Sequence, residues 1–91
     1  MTDAELLSKV KSGMLVQGSH LDVAISQRLL AVKQYVGNAG VTTEQIESDL
    51  GVAVLTLGVT DLMTLSGGEV KFSDAFDIIM TQLKAVSMPD V

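Results

Sequence analysis

Hydrophobic residues in this chain are concentrated in one stretch, from Ile46 to Leu65, and the other segments read as its packing partners. Within it, Leu50-Gly51-Val52-Ala53-Val54-Leu55-Thr56-Leu57-Gly58-Val59-Thr60 carries no charge, and Asp61 is the first interruption. At helical spacing Thr56, Thr60 and Thr64 fall on one narrow line, and almost everything else around the cylinder is apolar. A helix apolar nearly all round belongs in the middle of a bundle, with neighbours on several sides. The competing reading is a buried strand, because Val52, Val54, Thr56 and Val59 are β-branched. Length decides for the helix: the apolar pattern continues through Leu62, Met63 and Leu65, beyond most strands. Gly51 and Gly58 each cost roughly 1 kcal/mol in a helix interior. They share a face, which predicts that another backbone comes close there.

The remaining elements announce themselves through their caps. Thr2-Asp3-Ala4-Glu5 has the form of a capping box, with Met1 and Leu6 placed as a hydrophobic staple. The first helix runs to about Lys11, with Leu6, Leu7 and Val10 inward and Gly13 as its stop. Met14 to Gly18 is a short linker. Ser19 with Asp22 repeats the N-cap logic in weaker form, opening a second helix over about His20 to Val36. Its inward stripe is Leu21, Ile25, Leu29, Val32 and Val36, while Asp22, Ser26, Gln27, Lys33 and Gln34 face away. Gly37-Asn38-Ala39-Gly40 stops it. Thr42 caps a third, short helix, with Gln45 reaching back and Val41 stapled to Ile46, and Asp49 caps the central helix. Ser66-Gly67-Gly68 closes that helix, Glu69 to Phe72 is extended, and Ser73 caps the last helix. Phe76, Ile79, Met80, Leu83 and Val86 form its inward stripe, and the tail around Pro89 frays. The fold class expected is all-α: a single domain over residues 1–91, built as a small bundle of four to five helices around a central apolar helix.

Composition narrows the functional classes. Only 3% of the residues are aromatic against 47% hydrophobic, so the core must be aliphatic. There is no cysteine, hence no disulfide and no thiolate chemistry, as expected of an intracellular or otherwise unbridged protein. No secretory signal stands out after Met1, and the uncharged run falls short of the ~20 residues that cross a bilayer. The expectation is a soluble protein that does not engage membranes. The formal net charge is −5, and Lys9, Lys11, Arg28, Lys33, Lys71 and Lys84 are scattered. Phosphate backbones are gripped by concentrated basic side chains, so tight nucleic-acid binding is not expected.

Candidate chemistry is sparse. His20 is the only histidine and stands beside an expected N-cap, where an exposed side chain is the default. Without cysteine or a second histidine there is no conventional structural zinc site. Asp74 and Asp77 present two carboxylates together, but in a helix's first turn the dipole accounts for them. The glycine clusters lack a phosphate-loop lysine followed by Ser or Thr. Thr42 to Val52 has the outline of a helix-turn-helix start, yet the helix that would enter the major groove offers Val54, Leu55, Leu57 and Val59 and no Arg or Lys. Leu57 to Leu62 suggests an acyl carrier protein, but Asp61 is followed by Leu62, with no serine for a phosphopantetheine arm. No catalytic residue, cofactor site or metal site is expected.

Three stretches carry a likeness to a known family. They are Glu5 to Lys11 followed by His20 to Ile25; Ala31 to Val41, ending in a Gly-Val turn; and Gly58 to Ser73 with its Gly67-Gly68 pair, leading into Phe76 and Thr81-Gln82-Leu83. Together the chain resembles the small head–tail connector proteins of tailed phages, also described as putative DNA-packaging proteins. The resemblance implies a non-enzymatic structural protein of the virion, present in the bacterial host cytoplasm during assembly. Such proteins form a ring, dodecameric on the phage portal protein, that extends the DNA channel and docks the next head-completion or tail protein. DNA passes through without specific binding. On the same basis Glu69, Val70, Lys71 and Phe72, with Gln82 and Lys84 of the last helix, are the candidate interface residues. Two other classes stay open: a helical adaptor or regulatory protein that binds a host or phage protein through an apolar groove, and a cofactor-free enzyme using Asp74 and Asp77.

Overall fold

A computed structural model describes residues 1–64 and 72–87. These form an all-α bundle of five helices: α1 (Asp3–Gly13), α2 (Asp22–Asn38), α3 (Thr43–Ile46), α4 (Asp49–Thr64) and α5 (Asp74–Ser87). The expected central helix is α4, and each of the other four helices packs against it. Among the described residues no strand occurs and no polar or charged residue is buried. No helix there is long and apolar enough to cross a membrane.

Local chemistry explains most of the boundaries. The Thr2 hydroxyl accepts from the Glu5 amide at 3.1 Å while the Glu5 carboxylate accepts from the Thr2 amide at 3.2 Å, completing the capping box. Thr42 accepts from the Gln45 amide at 3.2 Å and opens α3 over the buried pair Val41 and Ile46. The Ser73 hydroxyl accepts from the Phe76 amide at 3.3 Å and opens α5. The α4 threonines turn their hydroxyls onto their own helix: Thr56 donates to the Val52 carbonyl at 2.8 Å and Thr60 to the Thr56 carbonyl at 2.7 Å. A polar line can therefore run along an apolar helix without an unpaired group.

Several boundaries differ from expectation. Gly13 does not stop α1 by a left-handed turn; it is the last helical residue, and the left-handed conformation falls on Leu15, with φ 61°. A Cβ on Gly13 would lie 2.9 Å from Thr56 Cγ2, so its missing side chain serves the α1–α4 contact. Ser19 does not cap α2. The N-cap position is Leu21, with no side-chain cap bond, and Ser19 contributes its carbonyl to the Asp22 amide at 3.1 Å. Helix α2 also runs through Gly37 and Asn38 and turns at Gly40, φ 101°. Ser48, not Asp49, caps α4: its hydroxyl accepts from the Gly51 amide at 3.1 Å and donates to the Gln45 carbonyl at 2.5 Å. Val86 does not join the inward stripe of α5; it is 54% exposed, whereas Phe76, Met80 and Leu83 are buried. Met1 is 46% exposed, whereas Leu6, its expected staple partner, is buried. The Gly67-Gly68 stop, the Glu69–Lys71 part of the extended segment and the Pro89 tail lie outside the described residues.

The glycines of α4 settle how closely its neighbours come. A Cβ on Gly51 would strike the Gln45 and Ile46 carbonyl groups, with the Ile46 carbonyl carbon 2.5 Å away, so α3 folds back directly onto the start of α4. A Cβ on Gly58 would lie 2.6 Å from Val32 Cγ1 and 2.9 Å from Phe76 Cε2. Gly58 is thus where α2, α4 and α5 meet. In the core Ile25, Val32, Val54, Leu55, Val59 and Leu83 are fully enclosed. The packing partners are mostly short and β-branched, which suits closely spaced helices with few rotamers to freeze.

The capping box makes acid stability sensitive to one carboxylate. The hydrogen bond from the Thr2 amide, then that from its hydroxyl, holds Glu5 below its ordinary pKa of 4.5. A depressed carboxylate contributes stability above its unfolded pKa and loses it as pH falls through the folded value. Thermal melts at pH 7 and pH 3 should show a smaller acid-induced drop in Tm for Glu5→Gln than for the parent. An identical drop in both would show that this bond contributes nothing to the acid limb.

Candidate interface surfaces

Of the expected interface residues the structure describes Phe72, Gln82 and Lys84, and these three do not share one face. Glu69, Val70 and Lys71 lie outside the described residues. Phe72 is half-buried, its ring stacked on Phe76 with centroids 4.1 Å apart and planes at 17°. Tyr35 completes the group, 5.1 Å from Phe72 and 6.1 Å from Phe76. The three aromatic residues of the chain thus sit together, bridging α2 to the start of α5. Phe72 acts first as an anchor of α5. Gln82 and Lys84 are both exposed, but two positions along a helix is a rotation of about 200°, so they belong to different edges of α5.

That rotation divides α5 into three strips. Phe76, Met80 and Leu83 face the core. Asp74, Asp77, Thr81 and Lys84 line one exposed edge. Between core and charged edge runs an uncharged outward strip of Ala75, Ile78, Gln82, Ala85 and Val86, in which Ile78 is 62% exposed. Helix α2 carries a comparable strip opposite its core face: Val23, Gln27, Leu30 and Gln34, with Val23 73% and Leu30 65% exposed.

Asp61 fixes where α5 begins. Its carboxylate accepts from the Ser73 amide at 2.9 Å and from the Ser73 hydroxyl at 2.8 Å, while that hydroxyl accepts from Phe76. A charge-assisted pair of bonds therefore links the last turns of α4 to the N-cap of α5. Asp61 reads in the sequence as an interruption of the apolar run; its partner twelve residues on is set by tertiary structure.

The α1–α2 connection holds a second feature invisible to periodicity. Lys11 Nζ reaches the Gly18 carbonyl at 2.6 Å and Asp22 Oδ1 at 2.5 Å, clasping the turn. Inside the clasp Leu15 stands in the left-handed region with 89% exposure. For a residue with a branched side chain this conformation is costly, and no burial repays it. Between α1 and α2 themselves lies a groove of about 200 Å³, lined by Leu6, Leu7, Leu29 and Leu30, with Asp3 and Lys33 3.6 Å apart across its rim.

His20 is exposed, and so are Asp74 and Asp77 in the first turn of α5. Among the described residues no three metal-binding side chains come together. At the N-terminus the ammonium of Met1 lies 2.7 Å from Glu47, whose hydrogen bond and charge hold the amine above its ordinary pKa of 8.0. Comparison with family models, curated proteins and solved structures finds no match to this chain. The class of protein is set by the fold alone: a small all-α bundle.

The strain at Leu15 has a measurable consequence. Asparagine tolerates the left-handed region far better than leucine, and little burial is lost on replacement. Leu15→Asn should raise unfolding stability by about 1 kcal/mol, the lower end of the left-handed penalty, in a denaturant titration. A loss of similar size would show that Leu15 packs rather than strains.

Proposed function

We propose that this chain is a structural, non-enzymatic protein of the phage head–tail interface, assembling as a ring under the portal and docking the next head-completion or tail protein. One observation carries most weight: the bundle completes its core and still presents uncharged, apolar-containing strips on two separate helices, α2 and α5. Scattered single apolar residues are ordinary on a surface, but rows of them on outward helix faces suit contacts with other protein. The family resemblance of the Gly58–Ser73 stretch and its surroundings supplies the context of those contacts. The net charge of −5 supports the same reading, since an acidic ring wall lets DNA pass without retaining it.

Like charge also opposes ring closure in isolation, though screening over about 8–10 Å at ordinary salt limits the effect. A portal holds docked copies side by side at high effective concentration, so weak lateral contacts suffice there. A second reading, an adaptor that captures a helix of a host or phage protein, is favoured by the apolar groove between α1 and α2.

Light scattering of the purified protein, alone and with the portal protein of the genome that encodes it, separates the two. The connector reading predicts a monomer or small oligomer alone, a ring on the portal, and no tight complex with duplex DNA at moderate salt. A protein indifferent to portal that forms a one-to-one complex with another protein would replace it with the adaptor reading.

A further inference from the structure

Helix α1 ends in a stop that its sequence does not suit. The Leu15 amide donates to the Ser12 carbonyl at 3.2 Å and the Val16 amide to the Lys11 carbonyl at 3.0 Å, the paired bonds of a Schellman turn. Such a turn needs a left-handed residue at its centre, and Leu15, with φ 61°, stands where glycine is the usual choice. A leucine there weights the equilibrium against the closed turn by roughly 5- to 30-fold relative to relaxed backbone. One bond opposes that strain, from Lys11 Nζ to the Gly18 carbonyl at 2.6 Å, and it exists only while the connection is folded. Among the long helices described, α1 is also the most lightly seated. It buries only Leu6 and Val10, whereas α5 buries Phe76, Met80 and Leu83 and is tied down by Asp61 and the aromatic stack. The groove beside Leu6 and Leu7 leaves its contact with α2 unsealed.

We propose that α1 is exchanged between copies: the connection from Met14 to Leu21 opens, and the α1 of one copy takes the α1 seat on α2 and α4 of another. This rests on the reading that the protein self-associates, and it names the joint. The occupant follows from the structure, because the seat is seen filled by α1 itself: Leu6 and Val10 in the core, Gly13 against Thr56, Asp3 3.6 Å from Lys33. The α1 of a second copy offers the same side chains, so each of these contacts is remade across the joint. What changes is the connection, which loses both the Leu15 strain and the Lys11–Gly18 bond. Fully extended, the eight residues between Gly13 and Asp22 reach about 26–29 Å. The bundle measures 29 and 19 Å along its two shorter axes, so the opened connection spans to a neighbouring copy. Reciprocal exchange yields a pair, and serial exchange a ring or filament. In dilute solution the closed form wins because α1 is tethered beside its own seat. On a portal, neighbouring seats stand at comparable effective concentration.

A disulfide between α1 and its seat reads the exchange directly. A Cβ on Gly13 stands 3.5 Å from Thr56 Cβ, within the range a disulfide spans, and the chain has no cysteine of its own. Thr56→Cys also removes the methyl group that crowds Gly13. The Gly13→Cys/Thr56→Cys protein is oxidised in dilute solution, in concentrated solution and on the portal, with light scattering before oxidation and non-reducing denaturing electrophoresis after it. The expected result is an intrachain bond in dilute solution, and chains linked to one another on the portal and, in smaller amount, in concentrated solution. Two variants of the cysteine-free parent give an independent readout by light scattering alone. Lys11→Ala loses the Asp22 contact in both forms but the Gly18 bond only in the closed one, so it should raise the ratio of exchanged to closed protein about fivefold. Leu15→Asn relaxes the closed turn and should lower that ratio about fivefold. Oligomers whose disulfides are all intrachain would overturn the exchange and leave self-association standing. Monomers under every condition, portal included, would overturn both. Should the cysteine pair fail to fold or to oxidise, an oligomer fraction that Lys11→Ala and Leu15→Asn do not move in opposite directions overturns the exchange by itself.

Discussion

The bundle depends on the closeness with which its helices reach α4 at Gly58. At that point a valine of α2 and a phenylalanine of α5 occupy the space a Cβ would take, 2.6 and 2.9 Å from it. Val32 and Phe76 are both fully enclosed, and Val32 is β-branched, so neither can swing away cheaply. The same device recurs twice more, with α3 carbonyls over Gly51 and Thr56 of α4 over Gly13 of α1. A chain with three aromatic residues has few large side chains to fill wide gaps. It closes the gaps instead, by bringing backbones together.

Close packing has a consequence at the surface. Small aliphatic residues facing α4 satisfy the core with one side of α2 and one side of α5. Apolar residues on their outer sides are then surplus to folding. Ile78 and Leu30 add nothing to the enclosed core, yet each is fixed in position by the helix that carries it. The Asp61–Ser73–Phe76 relay and the Tyr35–Phe72–Phe76 cluster anchor the start of α5 to α4 and α2. Rigid presentation of weakly apolar strips leaves little side-chain or backbone order to be imposed on any association.

Much of the fold was legible in the sequence because its signals are local. The capping box at Thr2, the caps at Thr42 and Ser73, the α2 stripe from Ile25 to Val36 and the apolar cylinder of α4 are each set by residues a turn or two apart. What escaped depends on distance. Gly13 carries a stop signal in sequence, but its role comes from Thr56 across the bundle. Ser48 outcompetes Asp49 as the α4 cap because the α3–α4 corner places its hydroxyl between two backbones. Val86 follows Leu83 at three-residue spacing, yet the rotation accumulated along the helix carries it round to the outward strip. The outward surfaces of the described helices were legible only in part. Gln82 does belong to an outward strip, whereas Lys84 lies on another edge and Phe72 is held in the aromatic stack. The α2 strip has no signature in the sequence, since Val23 and Leu30 sit among polar neighbours that mark only a solvent face.

The most direct test of this account compares two identical substitutions by equilibrium denaturation. Gly37 lies in α2 with open space where a Cβ would stand, so Gly37→Ala should gain up to about 1 kcal/mol of helix propensity. Gly58→Ala gains the same propensity but must displace Val32 or Phe76, at a cost of about 1–3 kcal/mol for overpacking. The account predicts opposite signs, with Gly37→Ala more stable than the parent and Gly58→Ala less. A Gly58→Ala protein as stable as Gly37→Ala would contradict the claim that close approach at α4 organises the molecule.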